Sequence, residues 1–547
     1  MDLKSLIEKN LLDYTSIKTH TGSPLENNNV EFFKNWFEKV DYFRNHTENY
    51  GFHEIEGDML GRKVPWGLFK GEGDDTIILI HHTDTVDTDD YGINQELAYQ
   101  PYNITQEYKK GNTDMDELVK GDLDSGKWLF GRGVADMKGG ASIHLSLLEE
   151  YTKDSNFKGN LILLGVPDEE NLSAGMRGAV SLLKELTERH TLNYILMLNV
   201  EPHERDTEDV ATIYDGSVGK LMPVIYARGK LAHVGQIFRG LNPINLLSAI
   251  VRKTELNPEF MELVGNTTTP PPTWLYMKDR KEVYDVSLPI AAAGYMNILT
   301  LNKPPKEIFD KLKEISNQAF EEVISDMKDS YKKYQQLSGK NLEALTWEPN
   351  VKLYGELYKE AVRDSGEAFT EALGKLMEEI KRDVNNNELT MINGAYKIIE
   401  KTLEFVKDLS PTVVIALAPP YYPNTNNNMI SEKCTQINKA TDSLIAFAKQ
   451  EWNQDYFVQN YFTGISDLSY AMFEADSENI SYIEENMLMW KDIYYIPLET
   501  IKELSIPVLN IGPWGRDLHK YTERVYMEDL FHRTPVLIDR LIKELLG

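Results

Sequence analysis

Cysteine is nearly absent: Cys434 is the only one in 547 residues. That excludes a disulfide framework and any Cys-x-x-Cys zinc site. Long apolar runs are missing as well, and none approaches the roughly 18 residues of a membrane helix. The segment Met1–Lys9 reads as an amphipathic helix, because charges interrupt the apolar core a signal peptide needs. Positive charge is scarce too: 58 Lys and Arg stand against 86 Asp and Glu, leaving −28. Such a balance argues against nucleic acid, whose phosphates attract clustered cations, and against docking on an anionic membrane surface. A soluble protein of the reducing cytoplasm is the expectation. No Gly-x-Ser-x-Gly elbow, phosphate-cradling Gly-Lys-Ser/Thr loop or His-Glu-x-x-His helix occurs. Gly131–Asp136 begins like a dinucleotide fingerprint but places Asp where the third Gly belongs.

What is present is ordinary globular composition, 41% hydrophobic and 26% charged. Length alone suggests three or four domains at about 150 residues each. Short apolar runs at 76–80, 161–166, 194–200 and 506–511 predict buried strands of a parallel sheet. Helical patterns at 141–151 and 179–189 lie between the first three, which implies right-handed βαβ units. From about Gly216 the pattern changes to longer, more polar strands at 220–228, 291–301 and 412–418. Between the last two, Ile308, Leu312, Ile315, Phe320 (or Ala319), Val323, Met327, Tyr331 and Tyr334 form an apolar stripe on a helix. That helix would run about 30 residues, or roughly 45 Å. A second helical stretch carries Leu353, Leu357, Leu373, Leu376, Ile380 and Val384, breaks at Asn385–Asn387, and resumes over 392–409. Pro419–Pro423 followed by Asn424–Asn428 reads as a linker. The expected architecture is a discontinuous α/β domain, 1–214 plus 424–547, with a second domain, 215–423, inserted into it.

Ligand sites of open parallel sheets lie beyond the carboxyl ends of the strands. Here the predicted strand ends deliver His81-His82-Thr83-Asp84, Pro167-Asp168-Glu169-Glu170, Glu201-Pro202, and Gly512 onward to His519. Each supplies His or carboxylate, the ligands of zinc and related divalent ions when no thiolate is available. Asp136 adds a further candidate in a Gly-rich turn before the 141–151 helix. Five ligands, one of them shared, suit two ions about 3.5–4 Å apart. The remaining histidines, His20, His46, His53, His144, His190, His203 and His532, read as structural, and the His-x-Asp spacing selects His82 over His81.

His-x-Asp after a strand, Gly-Arg-Gly-x-x-Asp-x-Lys-Gly, Asp-Glu-Glu, Glu-Pro and a late His after Gly-Pro occur in that order over residues 82 to 523. This order resembles the co-catalytic dizinc exopeptidase and deacylase family, which includes aminoacylase, acetylornithine deacetylase and glutamate carboxypeptidase. Within it the chain is most similar to the RocB-type arginine-utilisation proteins. The resemblance implies an α/β fold: a discontinuous catalytic domain with a mostly parallel sheet, and an inserted α+β lid domain enlarged by long helices. It implies one ion on His82 and Glu201, a second on Glu170 and His519, and Asp136 bridging both. The ions would be zinc, with cobalt or manganese as alternatives. Asp84 would accept a hydrogen bond from the His82 ring, and Glu169 would act as general base toward a hydroxide bridging the ions. On the lid, His233 would polarise the scissile carbonyl, reaching across from a partner's lid in a homodimer. Asn242 and Asp467 are the expected substrate-binding residues, and Glu523 the expected support of His519. Arg132 and Lys138 read as structural ion partners. The resemblance further implies hydrolysis of an amide bond in a small peptide or N-acyl amino acid of arginine or ornithine metabolism. Two departures stand out. Asn297-Ile298-Leu299 occupies the place where many members carry Asp-x-Arg on a lid strand, and the helical stretch 341–409 exceeds a compact lid. They motivate an alternative, a catalytically idle scaffold or amino-acid-binding protein.

Overall fold

The computed structural model describes residues 2–111, 113–205, 207–339, 344–386, 388–474 and 477–547. Asn341, where the expected helical enlargement begins, and Asn387, in the expected break, lie outside the described residues. In chain order the strands that build the two main sheets are β1 Tyr50–Glu54, β2 Lys63–Phe69, β3 Asp75–His82, β4 Asn160–Val166, β5 Asn193–Asn199 and β6 Val210–Tyr214. Then come β7 Gly219–Leu221, β8 Pro223–Arg228, β9 Thr273–Asp279, β10 Ala291–Thr300, β11 Val351–Leu353 and β12 Thr412–Leu417. The last are β13 Asp455–Gln459 and β14 Val508–Asn510.

The eight-stranded sheet has the order β1-β2-β4-β3-β5-β14-β6-β13. Its centre, β4-β3-β5-β14, is parallel throughout. The flanks are mixed, since β1 and β2 pair antiparallel, as do β2 with β4 and β14 with β6. Period-two alternation sends neighbouring residues to opposite faces. Ile78 and Ile80 of β3 pack with Met176, Val180 and Leu183 of helix 174–190, whereas Ile77 and Leu79 pack with Leu11, Ile143, Leu147 and Ile538 of helices 3–15, 138–151 and 534–546. Both faces are therefore dry, which is why these strands are continuous apolar runs.

The smaller sheet has the order β9-β10-β8-β12-β11, with β7 added to the end of β10. One face, with Ile225, Met296 and Ile415, packs on α1 Pro243–Thr254 and α2 Pro305–Ser338. At 34 residues α2 is about 51 Å long, and its buried stripe covers this sheet. The other face, with Val224, Tyr226, Val414 and Ala416, is covered by α3 Tyr354–Ser365, α4 Glu367–Asn385 and α5 Met391–Glu404. The extra helices are thus a third layer.

Three expectations change. Leu353 belongs to β11, parallel to β12, because Val351 and Leu353 bury against the sheet before the helix starts. The middle strands are not polar: β8 and β12 are almost wholly buried, since helices cover both faces. The 419–428 segment is no exposed linker. Tyr421 and Tyr422 are each 2% exposed, and Thr425 and Asn426 pair with Ser217 and Gly216. Its aromatic side chains have apolar surface to bury, so it crosses between the sheets as packed backbone.

Candidate metal centre

The four parallel central strands are adjacent, so their carboxyl ends bring four loops together. β3 ends on His82, β4 leads into Asp168-Glu169-Glu170, β5 into Glu201, and β14 into the loop bearing His519. Gly512 makes the last turn possible, because a Cβ there would sit 2.0 Å from the Glu201 carbonyl oxygen. Asp136 enters from the turn before helix 138–151.

Asp136 lies between the two imidazoles. Its Oδ1 is 2.9 Å from His82 Nε2 and its Oδ2 is 3.0 Å from His519 Nε2. Glu170 Oε1 is 2.9 Å from His519 Nε2, and Glu201 Oε1 is 3.6 Å from His82 Nε2. One ligand atom each from His82, Asp136 and Glu170 lies within 4.8 Å of the others, and the same holds for His82, Glu169 and Glu201. The His82 ring donates from Nδ1 to the backbone carbonyl of Asp84 at 3.0 Å, which leaves Nε2 to face the carboxylates.

The electrostatics test whether cations fit. Asp84, Asp136, Glu169, Glu170, Glu201 and Asp467 share a largely buried space with two imidazoles. Burial pushes the Glu169 and Glu201 carboxyls well above their usual range, and repulsion from neighbouring carboxylates adds to it. Burial also raises Glu170, with Asp136 contributing. Hydrogen bonds that the ring donates to Asp136 and Glu170 lift His519 to about 10. For His82, burial lowers proton affinity, but Glu201 and Asp136 outweigh it and the ring ends well above its usual value. Crowded carboxylates that raise each other's proton affinity are groups a divalent cation stabilises in ionised form. The oxygen and nitrogen donors suit zinc-like ions.

Support comes from behind the ligands. The Asp84 carboxylate accepts the backbone N–H groups of Glu169 at 3.1 Å and Glu170 at 3.3 Å, and the Thr21 hydroxyl at 2.8 Å. Its nearer oxygen is 3.7 Å from His82 Nδ1, so the expected carboxylate–imidazole bond is replaced by the backbone one. Asp168 accepts the Ala174 N–H at 3.1 Å and pairs with Arg62 at 2.5 Å. Arg62 is shared with Glu26 and Asp58. Glu523 accepts from Arg132 at 2.7 Å and from the backbone N–H groups of Ala135 and Asp136 at 3.1 and 3.2 Å. It therefore fixes the Asp136 turn and does not bond the His519 ring, while Arg132, which it holds, donates to the His519 carbonyl at 3.4 Å. Lys138 donates to the Ile17 carbonyl at 2.6 Å. His81 packs on Phe33 and Tyr14, and neither ring nitrogen has a hydrogen-bond partner among the described residues.

A cavity of about 260 Å³ opens on this cluster. Asp136, Glu169, Glu170, Glu201 and His519 line it together with Lys220, Tyr422, Phe462, Ile465 and Leu518, among others. Of the expected substrate residues, Asp467 is buried and does not reach the wall, although its charge bears on Glu169 and Glu201. Asn242 caps α1 through a 3.0 Å bond from the Ile244 N–H. His233 is exposed on the smaller-sheet unit, where its Nδ1 accepts the Gly235 N–H at 3.1 Å. Neither lines the cavity of the single chain. Lys220 and Tyr422 were not foreseen. Lys220 sits alone in sequence, and Tyr422 lies in the stretch read as linker. Leu299, where an arginine was expected by resemblance, is the cross-strand partner of Lys220.

The model of peptidase family M20/M25/M40 matches residues 79–539. The uncharacterised protein YqjN of Bacillus subtilis is 33% identical over 541 residues, covering 98% of this chain and 95% of YqjN. Protein RocB of the same organism is 28% identical, covering 97% of this chain and 93% of RocB. Among solved structures, aminopeptidase PepT of Bacillus cereus shares the fold with a TM-score of 0.53 at 13% identity, covering 100% of this chain and 99% of PepT. Over most of its length, then, the chain belongs to peptidase family M20/M25/M40 and is a metallohydrolase acting on amide bonds.

Proposed function

We propose that the chain hydrolyses the amide bond of a small peptide or N-acyl amino acid at a centre of two divalent ions, with Glu169 as general base. The observation that carries this reading is the convergence of His82, Asp136, Glu170, Glu201 and His519, with Glu169 set into the same space by backbone bonds to Asp84. His82 and Glu201 would hold one ion, Glu170 and His519 the other, and Asp136, which faces both imidazoles, would be shared. Zinc fits the donor set best, with cobalt and manganese tolerating it. When bound, such ions supply Lewis acidity, polarising a carbonyl and lowering the proton affinity of water. The residues do the rest. Asp84 holds the Glu169 and Glu170 peptides in place. Glu169, buried and forming no ion pair within 4 Å among the described residues, takes a proton from the attacking water and returns it to the departing amine. Arg132 and Glu523 keep the Asp136 turn in register with both imidazoles.

We also propose a catalytic unit of 1–214 with 424–547 and a lid of 215–423, working in the cytoplasm. Among the described residues no helix is long and apolar enough to cross a membrane. Similarity to RocB favours an arginine- or ornithine-related amide. His233, exposed and away from the cavity, would serve the oxyanion from the lid of a second copy.

The test is Glu169→Gln. The variant should bind metal like the native protein by elemental analysis, and lose about 10²–10⁴-fold in turnover. Undiminished turnover would remove the assigned role.

A further inference from the structure

A groove of about 670 Å³ shares no lining residue with the metal-centre cavity. The end of β1 and the residues after it, helix 174–190, α4 and the segment 491–497 build it. Lys381 is the contribution of α4, so the added helical layer helps form this groove. At its base Arg177 is half-buried and held by neutral groups. Its Nε donates to the Leu172 carbonyl at 3.0 Å and its Nη1 to the Tyr495 carbonyl at 2.7 Å. The guanidinium lies 4.4 Å from the centre of the Tyr494 ring. It forms no ion pair with any described residue. Glu56, exposed on the same wall, forms none either. Lys381 acts on Asp492 without pairing to it. The remaining charges are engaged: Glu54 pairs with Lys63 at 3.0 Å, and Lys491 with Glu484 at 3.2 Å.

Unpaired charge of both signs, with Ile55, Met59 and Ile493 as apolar wall, suits a small zwitterion carrying a carbon side chain. A planar guanidinium fixed in place matches a carboxylate, and Glu56 matches an ammonium. Two links lead from the groove to the metal centre. Leu172 belongs to a turn in which the Asp168 carbonyl accepts the N–H groups of Asn171, Leu172 and Ser173 at 3.3, 3.2 and 2.6 Å. Glu169 and Glu170 lie inside that turn. Tyr494, beneath the guanidinium, accepts the Tyr421 N–H and donates to the Tyr421 carbonyl, each at 3.1 Å. The next residue, Tyr422, lines the metal-centre cavity.

We propose that this groove is an effector site for a free amino acid, with the carboxylate on Arg177 and Lys381 and the ammonium toward Glu56. Occupancy slows hydrolysis, because a carboxylate is a stronger acceptor than a carbonyl. It draws the guanidinium off Leu172 and loosens the turn that carries Glu169. This names a regulation of the hydrolase proposed above and rests on that reading. Cutting a peptide or an N-acyl amino acid releases a molecule of this class, so the effector is of the product's own chemistry. The added helices gain a part in control through Lys381.

The probes are the free amino acids, added one at a time to the metal-loaded full chain. An amino acid held at the metal centre is displaced by substrate, whereas one in the groove lowers kcat at saturating substrate, here by about 5-fold or more. Glu56→Gln and Lys381→Gln touch nothing in the metal centre. They should keep native kcat and KM without amino acid and lose the response to it. Calorimetric affinity should fall about 10- to 100-fold in Arg177→Gln. Inhibition that saturating substrate relieves fully, or that is unchanged in both Glu56→Gln and Lys381→Gln, overturns the effector site. Acetate binding as tightly as any amino acid overturns the zwitterion. Calorimetry also separates the two readings. Amino-acid binding that is lost with Glu56→Gln, in a protein that hydrolyses nothing, removes the hydrolase and keeps the groove. Hydrolysis whose kcat no amino acid lowers removes the effector site and keeps the hydrolase.

Discussion

Asp84 acts through the peptide bonds of its neighbours more than through the imidazole two residues before it. Its two oxygens gather the N–H groups of Glu169 and Glu170, so one buried carboxylate sets the position of two others. Asp84→Asn keeps the shape but turns one oxygen into a donor that faces a peptide N–H. Supports of this kind typically cost about 10- to 100-fold in metal affinity or activity when changed. Asp84→Asn should therefore lose activity or bound metal by that factor with its circular dichroism unchanged. Native metal content together with native turnover would rule this out. The spacing of His82 and Asp84 was visible in the chain, but which group of Asp84 meets the ring was not. A two-residue offset after a strand places both the carbonyl and the carboxylate near the imidazole, and only the path of the loop decides. Glu523 and Lys220 were harder. Glu523 reaches Asp136 across 387 residues of sequence separation, and nothing near Lys220 marks it as a cavity residue.

At the scale of elements, strands with both faces covered were the easiest to read. Residues 76–80, 161–166 and 194–200 are apolar without alternation, and each became a central strand. The segments that misled carry mixed signals. Pro and Asn around Tyr421 and Tyr422 announce a turn, yet the tyrosines are large enough to drive the segment inside. Val351–Leu353 is too short for a period to show. One element is left open. Among the described residues β9 ends the smaller sheet with no strand on its outer edge, and Leu275, Tyr276 and Met277 are 52, 42 and 44% exposed. Val283, Tyr284 and Ile290 are exposed nearby in sequence. An apolar open edge invites another strand, and pairing with β9 of a second copy would bring two His233-bearing surfaces together. Light scattering should give twice the chain mass, and Leu275→Lys with Met277→Lys should return a folded monomer. A native protein that is monomeric at micromolar concentration would exclude the lid-to-lid dimer.

For the molecule as a whole, buried histidines set a limit on acid tolerance. His144 lies inside helix 138–151 with neither ring nitrogen bonded to any described residue, and burial draws it down to about 3. His203, also buried, falls to about 3. An unfolded histidine titrates near 6.5. Above that pH both states are neutral and the ring leaves stability unchanged with pH. As pH falls from about 6.5 toward 3, only the unfolded chain gains the proton, so stability is lost. Each such ring removes roughly 1.4 kcal/mol per pH unit in that window. His144→Leu should therefore lose about 2 kcal/mol less than the native protein between pH 7 and pH 5. Urea midpoints at the two pH values measure it, and equal losses in both proteins would show that His144 is not responsible.

The two passages of chain between the sheets lie side by side, tied at Gly216–Asn426, Ser217–Thr425 and Lys220–Tyr422. They behave as a ribbon in place of two separate cords. The smaller sheet is thus joined to the larger one through two passages bonded to each other, so neither connection can shift without the other. Because Lys220 and Tyr422 belong to the ribbon, the connection between the sheets is also part of the cavity wall. The helices α3, α4 and α5 contribute nothing to the cavity wall. Weight can be added to or taken from that outer layer while the aperture keeps its shape.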